Sequence, residues 1–392
     1  MGFFPAAVVA QATGQAASGS VATSEGRGVG SIQLGPVAAY PGLDFRAGYN
    51  DNLHLTNTNQ VSSPITIISP YVKLETKAGG NVFDVLYRGN FATYQNSRAD
   101  DYSDELLQAN AQIRFNVRND LQLRLEGRTA SDPRGSTDRA FSPAPDEWRQ
   151  TTLYAKYGYG AAGAPGRLEF DASSSTRRYT NNRDTTAAFD TNFVDFGAAF
   201  FWRLAPRTRV FIQARYSLID YLQASSTQSS SETRYFVGAQ WEATAKTTGY
   251  AKVGMMEKSF KSGGLASQSD LTWDVGVRWS PLSYSVFDVS TLKTFKESTG
   301  VGDAVQSTST NVFWTHAWDS RLNHTVYWSR ISDDFLAATR KDEANTLGLK
   351  VNYQMRRWLR LGAEFAHTQR DSNDSQFQYR RNLLLFTVGG TL

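Results

Sequence analysis

Between Leu106 and Ser131 hydrophobic and polar side chains change places at nearly every residue. Leu107, Ala109, Ala111, Ile113, Phe115 and Val117 alternate with Gln108, Asn110, Gln112, Arg114, Asn116 and Arg118. That period of two belongs to a strand with one apolar and one polar face. Asn119-Asp120 predicts a tight turn. After it Leu121, Leu123 and Leu125 alternate with Gln122, Arg124, Glu126 and Arg128, so the two strands can pair antiparallel with like faces together. In a soluble sandwich the apolar face would meet a second sheet. In a membrane barrel it would meet lipid, with the polar face on an aqueous lumen.

Repetition favours the barrel. From Gly42 onward the two-faced pattern recurs, beginning with Leu43, Phe45, Ala47 and Tyr49 opposite Asp44, Arg46 and Gly48. Phe83, Val85 and Tyr87 then oppose Asp84 and Arg88, and Val210, Ile212, Ala214 and Tyr216 oppose Arg209, Gln213 and Arg215. Tyr235 and Val237 oppose Arg234, Val275 and Val277 oppose Asp274 and Arg278, Leu349 and Val351 oppose Lys350, and Leu361 and Phe365 oppose Arg360 and Glu364. Long polar segments alternate with tight turns between these strands, and the longest, 132–147, contains Pro133, Pro143 and Pro145, which bar a central strand. The pattern predicts an all-β transmembrane antiparallel β-barrel of about eighteen strands, with long loops at one end and short turns at the other. Both termini then fall at the short-turn, periplasmic end. Tyr157, Tyr159, Trp202, Trp241, Trp279 and Trp318 stand near strand ends, where interfacial girdles form.

Composition sharpens this reading. A mean hydropathy of −0.43 and the lack of any run near the roughly 20 apolar residues of a membrane helix leave strands as the means of crossing. The absence of cysteine suits export through an oxidising compartment. Forty-one basic against thirty-seven acidic residues is too even for a nucleic-acid binder. The apolar Phe3–Ala10 and the small residues around Ala12 read as the remnant of a signal peptide over 1–12, followed by a flexible lead-in over 13–41 and the barrel over 42–392. At the C-terminus Leu384, Phe386, Val388 and Leu392 share a face with Gly390, a pattern expected of the strand that the barrel assembly machinery recognises.

Little points to catalysis, a metal or a cofactor. His54, His316, His324 and His367 lack ligand spacing, and the odd interval between His324 and Ser329 puts them on opposite faces of one strand. Asp100-Asp101 and Asp333-Asp334 read as external-loop carboxylates that could hold calcium against lipopolysaccharide, or as solvated charges. The lumen is the candidate site. Its expected lining is Arg46, Arg88, Arg114, Arg118, Arg124, Arg128, Arg215, Arg234, Arg278, Lys350 and Arg360, with Glu126, Asp274 and Glu364 among the fewer acids. Such a wall favours anions unless the arginines pair with carboxylates and stiffen it.

The GYNDN at Gly48–Asn52, the DDY at Asp100–Tyr102 and the eighteen-strand layout resemble the β-barrel porins encoded in bacterial exopolysaccharide operons. The resemblance implies an outer-membrane pore for a secreted polysaccharide, working with a periplasmic polysaccharide-export protein and surrounded by lipopolysaccharide. A general or anion-preferring diffusion porin, and a barrel enzyme acting on lipid, remain as alternatives.

Overall fold

The alternating segments become long antiparallel strands in the computed structural model, which describes residues 30–392 except 140, 162, 245 and 263. A short strand, β1 (Ile32–Leu34), precedes β2 (Val37–Asn50), β3 (Ser63–Ala78), β4 (Asn81–Tyr94), β5 (Tyr102–Arg114), β6 (Asn119–Asp132), β7 (Asp146–Tyr159), β8 (Gly166–Tyr179) and β9 (Thr191–Ala205). The second half continues with β10 (Thr208–Tyr221), β11 (Ser230–Thr244), β12 (Thr247–Phe260), β13 (Gln268–Leu282), β14 (Ser285–Lys296), β15 (Ala304–Ala317), β16 (Leu322–Leu336), β17 (Lys341–Arg356), β18 (Leu359–Ser372) and β19 (Tyr379–Thr391). From β2 onward each strand pairs with the next, and β19 pairs with β2 through Leu385↔Gly48 and Phe386↔Ala47. The result is a closed antiparallel barrel of eighteen strands, which leaves no sheet edge in lipid. No helix among the described residues is long and apolar enough to cross a membrane.

Register fixes the two faces. Ala109↔Leu125, Ala111↔Leu123 and Ile113↔Leu121 join β5 to β6 on the outside, where Leu107, Leu123, Leu125, Leu153, Phe170 and Phe200 are exposed. Asn110↔Arg124 and Arg124↔Tyr154 carry the opposite face. That face is inward, because the loops folded over the barrel reach Asp132, Tyr179 and Arg370, which share it. Exposed Tyr157, Tyr159, Trp202, Trp279 and Trp318 gather on the outer surface near the short turns. Leu384, Phe386, Val388 and Leu392 are likewise exposed on β19 and beyond it.

Several boundaries differ from the sequence expectation. The barrel begins at Val37, before Gly42, and β1 hairpins onto β2, so the later part of the expected 13–41 lead-in is strand; the expected 1–12 signal remnant lies outside the described residues. The first hairpin turns at 115–118 rather than at Asn119-Asp120. Asn116 decides this, since its Oδ1 accepts from the backbone N–H of Arg118 (2.9 Å) and of Asn119 (3.0 Å), a side-chain turn that competes with the ladder. Phe115 and Val117 therefore sit in the turn. Asp333-Asp334 belong to β16 and not to a loop.

Candidate functional site

Most lumen arginines meet a partner on the same strand or on one of the next two strands. Arg215 is held by Asp171 (2.7 Å) and by Asp195, Arg234 by Glu232 (3.2 Å), Arg278 by Asp288 (2.7 Å) and Arg360 by Asp44 (3.0 Å). Arg124 donates to Asn110 (3.1 Å), whose amide donates to Asp84 (2.7 Å). Arg46 donates to Ser69 (3.0 Å) and Asn90 (3.1 Å). Arg88 lies over Tyr71, and Arg128 over Trp148 beside the inward Glu126. Lys350 stands across from Glu364, which accepts from Tyr327 (2.9 Å), and Asp274 pairs with Lys252 (3.2 Å). The sequence reading overlooked Asp171, Asp195, Glu232 and Asp288 as wall carboxylates, so its basic excess is largely cancelled across strands. Periodicity reports a face; only register reports a partner.

Arg114 and Arg118 are placed differently. Arg114 ends β5 and is exposed across from Asp120, while Arg118 sits in the 115–118 turn, so neither lines the middle of the lumen.

The long-loop mouth is spanned by the loop 133–145. At its root Arg139, 2% exposed, bonds Asp132 (2.8 Å), Asp146 (2.8 Å) and Tyr179 (3.2 Å). Burial opposes its charge, but Tyr179 and the two carboxylates overcome that and raise its pKa above the usual guanidinium value. Arg134 bonds Asp100, which also contacts His54 (3.1 Å) and Ser97 (2.6 Å). Burial pushes the Asp100 carboxyl up; Arg134, Ser97 and His54 outweigh it and hold the group below the usual carboxylate range. Asp138 then reaches the far wall. Its Oδ1 lies 2.7 Å from Arg340 Nη1, a charge contact without hydrogen-bond alignment, and 3.8 Å from Arg370, while Thr299 donates to its Oδ2 (2.8 Å). Arg340 is packed between Phe335 and Phe377 and bonds Asp342 (3.0 Å). Near the same end Leu53, from the loop 51–62, packs on inward Ile65, Ile67, Ala92, Tyr94 and Leu385, an apolar cluster on a wall expected to be polar.

These features, a closed barrel with a polar inner wall and an apolar outer one, match known proteins at the level of family. The family described as Putative beta-barrel porin 2 matches residues 28–390. The chain belongs to that porin family. Its barrel is accordingly one of the bacterial outer membrane. A BenF-like porin from Pseudomonas fluorescens shares the fold at 11% identity and a TM-score of 0.51, over 91% of this chain and 99% of that one. OpdQ from Pseudomonas aeruginosa is similar at 11% identity and a TM-score of 0.48, over 91% and 98%. The FrpB iron transporter from Neisseria meningitidis (F3-3 variant) is similar at 14% identity and a TM-score of 0.47, over 84% of this porin and 62% of the transporter, so this chain spans under two thirds of that protein's length. No curated protein sequence matches.

In this porin the remaining candidates fall apart. His324 faces outward and accepts from the Trp318 indole (2.9 Å), whereas Ser329 faces inward and donates to Asn311 (2.7 Å). A dyad from the two is excluded by the wall between them. His316 stacks on His324 outside, His367 contacts Asn382, and His54 is spent on Asp100. The acidic pairs are taken by cations of the protein: Arg134 and Arg98 at Asp100-Asp101, Lys296 and Lys341 at Asp333-Asp334. The bridge residues Asp138, Arg139 and Arg340 were missed because a polar loop carries no periodicity. Its length and prolines were the one available signal.

Proposed function

We propose that this porin is a passive conduit through which a secreted polysaccharide leaves the cell across the outer membrane. The observation that supports export over free diffusion is the ion pair between Asp138 and Arg340 across the long-loop mouth. A general porin works through a standing aperture, whereas a conduit for an intermittent polymer must otherwise stay shut to protect the permeability barrier. On this reading the short turns and both termini face the periplasm, where a polysaccharide-export protein would dock. The long loops face outward among lipopolysaccharide, and β19 is the strand offered to the barrel assembly machinery.

A general or anion-preferring diffusion porin is the second reading, favoured by a wall that carries both charge signs at close spacing, as at Arg215 with Asp171 and Lys252 with Asp274. A deletion strain separates the two. Loss of surface polysaccharide with unchanged uptake of small hydrophilic solutes supports export. Normal polymer with reduced uptake supports diffusion.

A further inference from the structure

Charge is distributed unevenly along the barrel axis. At the long-loop end most exposed cations are matched: Arg98 to Asp101 (3.4 Å), Arg183 to Asp190 (2.8 Å), Arg330 to Glu343 (2.5 Å), Lys341 to Asp334 (2.8 Å) and Lys261 to Asp220, while Arg149 and Arg380, the exceptions, lie on the outward faces of β7 and β19 and not around the opening. Along the lumen, ion pairs between neighbouring strands, such as Arg215 with Asp195, Lys252 with Asp274 and Arg278 with Asp288, neutralise part of the charge. At the short-turn end the balance breaks. Arg114, Arg118, Arg207, Arg321, Arg356 and Arg357 are all exposed, and among the described residues none has a side-chain hydrogen bond or ion pair.

The carboxylates that could neutralise them are already engaged. Asp120 accepts Arg167 (2.8 Å), Glu75 holds Lys73 (2.9 Å) and Lys77 (3.1 Å), and Asp319 is turned onto the N–H groups of Arg321 (2.6 Å) and Leu322 (2.7 Å). Glu242 is an exposed exception. The arginines come from the turns after β5, β9, β15 and β17, so they surround the opening instead of forming one flank. The outer surface near this end is given over to Trp202, Trp279, Trp318 and Tyr159, which suit the lipid interface.

We infer that this arginine ring captures an anionic saccharide chain at the short-turn mouth. The inference rests on the conduit reading and adds the cargo's charge and the end at which it is received. A ring of unpaired guanidinium groups around a low-dielectric opening raises the local concentration of a polyanion and its rate of arrival. Screening within roughly 8 Å at physiological salt confines the effect to the mouth. The partly neutralised lumen beyond it offers carboxylates as well as cations, so a captured chain is not held fast along the wall. Guanidinium forks match sugar carboxylates in both charge and geometry.

The test uses the purified full chain in zwitterionic detergent and two fluorescent probes of equal length, an oligogalacturonate and a neutral maltooligosaccharide, read by fluorescence polarisation. Expected is binding of the anionic probe that weakens steeply with added salt, and at least about tenfold weaker binding in the combined Arg118→Gln, Arg207→Gln, Arg356→Gln, Arg357→Gln variant. Lys261→Gln with Arg330→Gln, at the other end, should leave it unchanged, and heat-modifiable migration on gels verifies that each barrel is folded. Equal affinity for the two probes, or an unaltered ring variant, overturns the proposal. So does a ring variant that loses only its association with phosphatidylglycerol vesicles, which would make the ring a lipid contact. If the anionic probe binds as expected but a deletion strain keeps its surface polymer, the conduit reading fails while the capture site stands.

Discussion

Asp138 Oδ1 lies 2.7 Å from Arg340 Nη1, although the two residues come from the loop between β6 and β7 and the loop between β16 and β17. Ten strands separate these loops in one direction around an eighteen-strand barrel and eight in the other, so the contact joins opposing walls. Six-connected anchoring at its root, through Arg139 and Arg134, makes the loop a bar across the mouth.

Removing the charge at the tip should free that bar. Asp138→Asn leaves Arg340 with Asp342 but deletes the cross-mouth attraction, and single-channel conductance in planar bilayers should rise above wild type. An unchanged conductance would show that the loop is held by its packing alone.

Arg139→Gln acts at the root. It strands Asp132 and Asp146, both buried, and breaking such a pair costs about 3–5 kcal/mol. The barrel should still form, since the loss is confined to a loop, but protease should cut between β6 and β7 in the variant and not in the wild type. Resistance equal to wild type would mean that the anchor lies elsewhere.

Acid should loosen the same loop through Asp100. Its carboxyl is held below the usual range in the folded protein, so its contribution to anchoring is complete above the unfolded value of about 3.9 and is lost as pH falls through the lower folded value. Conductance followed from about pH 6 to about pH 2.5 should therefore step upward only in the acid part of that range. A step well above the carboxylate range would show that Asp100 does not control the loop.

The two faces of the wall can be told apart by one substitution each. Leu125→Arg puts a guanidinium into lipid at mid-strand and should lower folding stability in vesicles by about 2–4 kcal/mol. Gln108→Arg, inward on β5, should cost far less. Equal losses would contradict the facing.

Orientation is checked with Ser225→Cys, exposed in the long loop 222–229. A membrane-impermeant maleimide should label it in intact cells. Labelling only after the outer membrane is permeabilised would place the short turns outside.

The alternation of Leu107, Ala109 and Ala111 with Gln108, Asn110 and Gln112 was enough to specify strands, their facing and the closed barrel, because a lipid-exposed wall admits only period two and no open edge. The same logic separated His324 from Ser329, whose odd spacing sends them through opposite sides of the sheet. Alternation is a local property, and it carries no information about which strand position stands beside another. That is why the chain by itself yielded a basic wall, while the register set Asp171 and Asp195 against Arg215 and, among the described residues, left a group of arginines around the short-turn mouth without carboxylate partners. It is also why Asn116 moved the first turn unannounced, through a hydrogen bond rather than a pattern. The bar across the long-loop mouth lay furthest from reach: Asp138 and Arg340 are 202 positions apart in the chain, and only closure of the barrel, which brings opposing walls within reach of their loops, makes them neighbours.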